Sequence, residues 1–412
     1  MKHDTDQSLP LSGVRVLDFS HVYQGPVATQ LLADYGADVV KVERPGSGDW
    51  SRAWGPFVKG VSLPFANLNR NKRSVAIDMK SDEGWEIVRR LVAEADVLVH
   101  NFRGGVMEKL GFGYDAMAAL NPRLVYAASS GWGDEGPYAD RKRGGHDMMA
   151  RAEAGWFIDQ GPDRAPIPGG ISVDYPAGLM LTIGILTALH HRQRTGRGQR
   201  VTTDLLSVAM HAHAWEAASE LNASRIDEPA RVGGTEAAIN KAFLTADGAI
   251  EVSPVFSDNA LRDICLGLGM EDLSLRPEFA TQPLQVENAD SLNALLGERF
   301  KSQTTDQWIA RLEPAGVLCA RVNTFLEAAE DPQVQANGMI AEVPHADADS
   351  LRVLGTPVRL HATPPGEHRQ PPDLGADSRQ VLAELGFDDD TLDRLQAHGV
   401  IGSGSPAPAP VV

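Results

Sequence analysis

The chain has 412 residues, 42% of them hydrophobic and 23% charged, and its 55 Asp and Glu against 38 Lys and Arg give a formal charge of −17. This composition excludes a disordered chain, and the charge excludes a general binder of nucleic acid or anionic membrane, so an anionic ligand must meet a local basic patch. At this length two domains are expected.

Val14 to Phe19 (VRVLDF) reads as a buried strand, and GPVATQLLADYGA as a helix with Pro26 in its first turn and Gly36 at its end. DVVKVE, 38–43, is a second strand. Ser81 suits the N-cap of a helix whose Trp85, Val88, Leu91 and Val92 share one face, and Val97 to Val99 return as a strand. Tyr114 to Leu120 form a helix, Asn121-Pro122 breaks it, and Leu124 to Ala128 form a strand. Strands alternating with helices at these lengths predict an α/β fold with a doubly wound, mostly parallel sheet. A helix over 176–193, apolar on every side, reads as buried; TGRGQ is a turn, QRVTTDLL a strand and SVAMHAHAWEAASE a helix.

The polar segment 223–234, ASRIDEPARVGG, marks the boundary of a large domain over 1–222. FLTADGAIEVS then reads as a hairpin around Asp247-Gly248, followed by helices to about Leu312, so 223–334 is expected to be a smaller α+β domain with its linker. Residues 335–400 begin Pro-rich and are expected to be a linker returning to the large domain, with helical periodicity in VLAELGFDDDTLDRLQAHGV. Residues 401–412 read as a disordered tail.

Two cysteines, Cys265 and Cys319, supply neither a disulfide framework nor a cysteine-based zinc site, and they fit a reducing compartment. MKHDTDQSLPLSG lacks the apolar stretch of a signal peptide and is too acidic for a transit peptide. The longest apolar run, Pro176 to Leu189, is shorter than the roughly 20 residues that span a bilayer. A cytoplasmic protein without a membrane span is expected.

Ligands of open parallel sheets bind beyond the carboxyl ends of the strands. That rule selects SHVYQGP, ERPGSGD, HNFRGG and SSGWGDEG, loops rich in Gly that carry Arg44 and Arg103. Neither a P-loop nor a G-x-G-x-x-G between the first strand and helix is present, which excludes the usual nucleotide signatures. Pattern alone leaves ERPGSGD equally a surface turn. The pairs at 190–191 and 211–213 offer histidines but no third ligand at a characteristic spacing, so no metal is expected. Asp174 precedes the long apolar helix, where Asp is a favoured N-cap. A carboxylate there is also ionised, poorly solvated and able to attack a carbonyl.

The ordered run of LSGVRVLDFSHV, LLADYGADVVKVERPGSGD, NRNKRSVAIDMK, ADVLVHNFRGG, GWGDEGPYADR, the Asp174 segment with TGRGQ, and AGVLCARVNTFLEAAEDPQVQANGM resembles family III CoA-transferases. That family includes formyl-CoA and carnitine CoA-transferases and contains the 2-methylacyl-CoA racemases. The resemblance implies a Rossmann-like large domain, an interlocked homodimer, and CoA transfer from an acyl-CoA to a free carboxylic acid with no permanently bound cofactor. It makes Asp174 the covalent nucleophile, passing through mixed anhydrides and an aspartyl-CoA thioester. It places CoA contacts at Tyr23 and Gln24, Arg44, Ile77, Asp78, Met79 and Lys80, Asn101, Phe102 and Arg103, Lys109, and the neighbourhood of Arg143 and Gly145.

Two departures stand out. Tyr23 replaces the Gln of formyl-CoA transferase, and VGGTEA at 232–237 is only a remnant of its glycine run, which turns the reading away from an oxalate-like acceptor. His146, in GGHDMMARAEAG, stands where many transferases have an aromatic residue and where racemases have a catalytic base. A racemase using His146 and Asp174, and a non-catalytic acyl-CoA-binding subunit, are therefore the alternatives. GSGD and NRNKRS are closer to the transferases, and no counterpart of the racemase Glu is evident, which puts transfer first.

Overall fold

Short runs of Val, Leu and Ile form a seven-stranded sheet in the computed structural model, which describes residues 9–225, 238–253, 257–346 and 348–402. Its parallel strands are β1 (Arg15–Asp18), β2 (Asp38–Glu43), β3 (Arg73–Ile77), β4 (Val97–His100), β5 (Val125–Ser130) and β6 (Arg200–Asp204). Their order across the sheet is β6-β5-β4-β1-β2-β3, with Ile401–Gly402 added antiparallel to β3. Val16 of β1 sits opposite Val39 on one side and Val97 on the other. The chain runs outward from β1 to β3 and resumes with β4 on the far side of β1. The order therefore reverses between β1 and β4, and the crevice beyond their carboxyl ends is where such sheets hold ligands.

The period of two along the strands divides the core. Leu17, Val40, Val42, Leu98 and Tyr126 face helices α2 (Asp82–Glu94) and α3 (Tyr114–Leu120), along with Leu382 and Leu392 near the C-terminal end. Val16, Val39, Val97, Val125 and Ala127 face the opposite way, toward Ala28 and Leu32 of α1 (Gln24–Asp34) and Leu181 and Ile185 of a 22-residue helix, Asp174–Thr195. The sheet is thus doubly wound, as the sequence pattern predicts. Ser81 caps α2 by accepting the Gly84 N–H at 3.0 Å, and Gly196, at φ 73°, ends the 22-residue helix.

Several expectations need correction. β3 belongs to no element read from the sequence. The Asp174–Thr195 helix is not buried all round: Met180, Ile183 and Leu186 are 38%, 55% and 41% exposed, while Ala177, Leu181, Ile185 and Ala188 form the buried stripe. The helix expected over 207–220 is two helices, Leu205–Ala212 and Ala214–Glu220, separated at His213. The stretch expected as a linker contains an antiparallel ribbon, Ile340–His345 with Asp349–Leu354. Ile401 and Gly402 are paired residues of the sheet edge and not tail. VGGTEA and residues 403–412 lie outside the described residues.

The chain divides into two units, Met1–Ala217 with Ala336–Val412, and Ala218–Gln335. In the second, Ala242–Leu244, Ala249–Ser253 and Leu318–Arg321 form an antiparallel sheet, the first two as the expected hairpin. Trp308, Phe300 and Phe279 fill that unit's own core. Among the described residues no helix is long and apolar enough to cross a membrane, and no group of three His, Cys, Asp or Glu is arranged to hold a metal ion. Both cysteines are free thiols.

Candidate active site

The strand-end crevice is lined by the loop that follows β1. Asn101, just beyond β4, clamps it by accepting the His21 N–H and donating to the His21 carbonyl, both at 2.8 Å. Asp49 accepts the N–H of Val22 at 3.1 Å. Val22 lies at φ 68°, a left-handed conformation that a β-branched residue holds only when its surroundings impose it. The clamp delivers Tyr23 and Gln24 to the first turn of α1, and Gln24 accepts the Ser129 hydroxyl of β5 at 2.6 Å.

Beneath this loop lies a buried ionic cluster. Lys72 is 2.9 Å from Asp18, and Lys41 is 2.9 Å from Asp49. Although burial raises both acids, the lysines and hydrogen bonds hold the Asp18 and Asp49 carboxyls well below the ordinary range. Burial lowers Lys72 to about 8, against the pull of Asp18. The His21 ring, packed between Trp50 and Phe102, is lowered by the same burial.

Gly145 meets the backbone of Gly131, the residue after β5, so closely that a Cβ on either would come 2.4 Å from the other's Cα. This contact seats His146 and α4 (Asp147–Glu153) at the end of β5. Asp147 accepts the Val173 N–H at 2.5 Å and the Ser172 hydroxyl at 3.0 Å, which brings in the start of α5 (Asp174–Thr195). Gly178 of α5 packs on α1, where a Cβ would come 2.7 Å from the Gln24 carbonyl. Asp174, Tyr23, Gln24 and His146 therefore share one neighbourhood at the strand ends.

Asp174 is the first residue of α5 and does not cap it; no side chain of the helix's own N-cap residue, Val173, does so either. Among the described residues its carboxylate has one weak partner, the Ser172 hydroxyl at 3.5 Å. Burial first, then the charge of Asp147, push the Asp174 carboxyl up to about 6, against the opposing effects of His146 and Ser172. Burial and the nearby Asp174 raise the Tyr23 phenol. The Nδ1 of His146 accepts the Met148 N–H at 3.3 Å, so the neutral ring carries its proton on Nε2.

Among the other expected contacts, Phe102 stacks on His100, and the Arg103 guanidinium lies against Gly144, where a Cβ would be 3.0 Å from Nη2. Arg44, Lys80, Arg103 and Lys109 are exposed and have no ion-pair partner among the described residues. Arg44 follows β2, Lys80 follows β3, and Arg103 and Lys109 follow β4. All four therefore follow the carboxyl ends of parallel strands, the side on which such sheets hold ligands. Arg143 is already engaged, 2.8 Å from Glu153 and over the rings of Trp132 and Tyr138. Asp78 accepts the Lys80 N–H at 3.1 Å and Met79 is half-buried, whereas the Ile77 side chain is wholly within the core. The residues missed in the sequence are Asp49, Ser129, Asp147, Arg151 and Ser172. GSGD and GGHD carry two of them in plain view, but neither pattern says which backbone N–H the acid will reach.

Residues 11–378 match CoA-transferase family III. The chain belongs to this family. It is 38% identical to an acyl-CoA transferase of Fusarium pseudograminearum, over 95% of this chain and 88% of the relative. It is 34% identical to human succinyl-CoA:glutarate CoA-transferase, over 97% of this chain and 91% of the relative. A crystal structure of a CAIB/BAIF family protein from Brucella suis superposes with a TM-score of 0.81 at 34% identity, covering 92% of this chain and 100% of that one. The protein is a CoA-transferase, an enzyme that moves CoA between acids, with CoA thioesters as its substrates.

Proposed function

We propose that this transferase moves CoA from an acyl-CoA to a free carboxylic acid with Asp174 as the covalent nucleophile. The observation that carries the reading is the state of Asp174: a helix-start carboxylate at the strand-end crevice, with a raised basicity and no strong hydrogen-bond donor. The Asp174 oxygen attacks the thioester carbonyl, the C–S bond breaks, and a mixed anhydride and CoA thiolate result. The thiolate attacks the aspartyl carbonyl, releasing the donor acid and leaving an aspartyl-CoA thioester. The acceptor carboxylate attacks that thioester, freeing the thiolate and forming a second anhydride. CoA then takes the acceptor acyl group, and Asp174 returns as carboxylate.

Each tetrahedral oxyanion needs donors already in place. The Tyr175 N–H in the first turn of α5 has no partner among the described residues, and the His146 Nε2–H is a second donor at the same mouth. The rim of Arg44, Lys80, Arg103 and Lys109 is read as the phosphate-binding edge, with Gln24, Asn101 and Phe102 shaping the loops beside it. The human relative's name pairs succinyl-CoA with glutarate, which makes dicarboxylates the first acceptors to try. A cytoplasmic homodimer is the working form proposed; the exposed apolar stripe of Met180, Ile183 and Leu186 supports self-association.

The competing chemistry is removal and return of the α-proton by His146 and Asp174. The Nδ1 of His146 already accepts the Met148 N–H, an arrangement that favours a donor role for Nε2. Incubation with a panel of acyl-CoAs in deuterated water, with and without free dicarboxylates, separates the two. Acceptor-dependent new acyl-CoAs without acceptor-independent deuterium at the α-carbon are expected. Deuterium uptake that His146→Ala abolishes, with no transfer to any acceptor, would replace the transferase reading with a racemase.

A further inference from the structure

The start of α5 is built by a residue outside that helix. Asp147 is buried, and its two oxygens are divided between tasks. Oδ1 accepts the Val173 N–H at 2.5 Å and the Ser172 hydroxyl at 3.0 Å, and Oδ2 is 3.3 Å from Nη1 of Arg151. Arg151 is itself buried, and its Nη2 donates to the Gly169 carbonyl and, at 3.3 Å, to that of Gly170. The pair thus ties α4 to both sides of the turn that delivers Asp174.

The Ser172 hydroxyl decides how Asp174 is left. It accepts the Asp174 N–H at 3.3 Å and has one hydrogen to give. Asp147 lies 3.0 Å from that oxygen and Asp174 lies 3.5 Å from it, so the hydrogen goes to Asp147. We propose that Asp147, anchored by Arg151, is a positioning residue for the nucleophile: it holds the start of α5 and takes the Ser172 hydroxyl hydrogen, leaving the Asp174 oxygens without a strong donor. This rests on the reading of Asp174 as nucleophile. It assigns the GHD sequence a second working residue beside His146, one that acts through Asp174 and does not touch substrate.

A carboxylate attacks best when its lone pairs are not already committed to donors, and a misplacement of about 1 Å in a reacting group can cost about a hundredfold in rate. The groups facing Asp174 are Asp147 and His146 at the start of α4, Ser172 before α5, and Tyr23 at the start of α1. Of these Asp147 is the neighbour whose charge raises the Asp174 carboxyl. Neutralising it moves that carboxyl back toward 3.8, which shifts the acid limb of kcat to lower pH.

The test compares Asp147→Asn, Asp147→Ala and the double variant Asp147→Asn with Ser172→Ala, with Asp174→Asn alongside. Asp147→Asn is expected to fold, to keep its KM for acyl-CoA within about threefold, to lose about tenfold or more in kcat, and to show the lowered acid limb. Asp147→Ala should lose about a hundredfold in kcat if it folds. Removing the Ser172 hydroxyl in the double variant should recover part of kcat, because that hydroxyl can then no longer swing onto Asp174. Unchanged kcat and an unchanged acid limb in Asp147→Asn, with Asp174→Asn inactive, overturn the proposal and spare the nucleophile. An active Asp174→Asn removes the nucleophile and the proposal together.

Discussion

A carboxylate held for attack should weaken the fold that holds it, and Asp174 allows that cost to be measured. Its carboxyl is raised from 3.8 to about 6, chiefly by burial and by Asp147. The folded state therefore binds this proton more tightly than the unfolded chain, so stability is lost as pH rises through the window between those two values and stays lost above it. At 1.36 kcal/mol per pH unit the full difference is about 3 kcal/mol at pH 7.5 and about half that at pH 5. Partial exposure of the carboxyl and its favourable place at a helix N-terminus bring the net gain expected from Asp174→Asn to about 1–2 kcal/mol at neutral pH. Thermal melts at the two pH values should place Asp174→Asn above the wild type by about 1–3 °C at pH 7.5 and by less at pH 5. Transfer activity should be abolished in the same preparation. A structural cap predicts no gain at either pH, since Asn caps a helix about as well as Asp. A variant that melts below the wild type at pH 7.5, or whose gain does not shrink at pH 5, would show that the Asp174 carboxylate does not weaken the fold.

Arg44→Ala and Lys80→Ala should each raise the KM for acyl-CoA, more steeply at low salt than at high, because exposed cations meeting phosphates are screened. Unchanged acyl-CoA affinity in both would remove these positions from the phosphate edge. Asp18→Ala leaves the buried Lys41 and Lys72 without a shared carboxylate and should cost about 3–5 kcal/mol in urea unfolding; a loss below about 1 kcal/mol would mean that water reaches the cluster. Sedimentation at micromolar concentration should give a dimer, and a monomer alone would contradict the proposed self-association.

The sheet was legible because period-two Val and Leu alternate with helices closed by Pro, Asn and Gly. β3 escaped because NRNKRS, which leads into it, is dense in cations and shows no apolar alternation. In the folded chain its cations are buried: Arg70 pairs with Asp34 at 2.7 Å, Lys72 with Asp18 at 2.9 Å, and Arg73 with Asp38 at 2.6 Å. Those partners come from α1, β1 and β2, and no local window contains them. The strand-end rule reached Tyr23, Arg44 and Asn101 to Arg103 without any resemblance, and it would have reached Lys80 had β3 been recognised. Asp174 stood out as an acid before an apolar helix. Its helix-start geometry depends on Asp147, 26 residues upstream of the Val173 N–H that it accepts, and such a pairing exists only once α4 and α5 have packed.

In the proposed reaction CoA passes through a covalent bond to Asp174. The direct measurement is peptide mass spectrometry of enzyme incubated with acyl-CoA alone and quenched with hydroxylamine. A stoichiometric hydroxamate on Asp174 is expected, and it should disappear when an acceptor acid is added before the quench. Full transfer activity with Asp174 unmodified at every time point would contradict the covalent route.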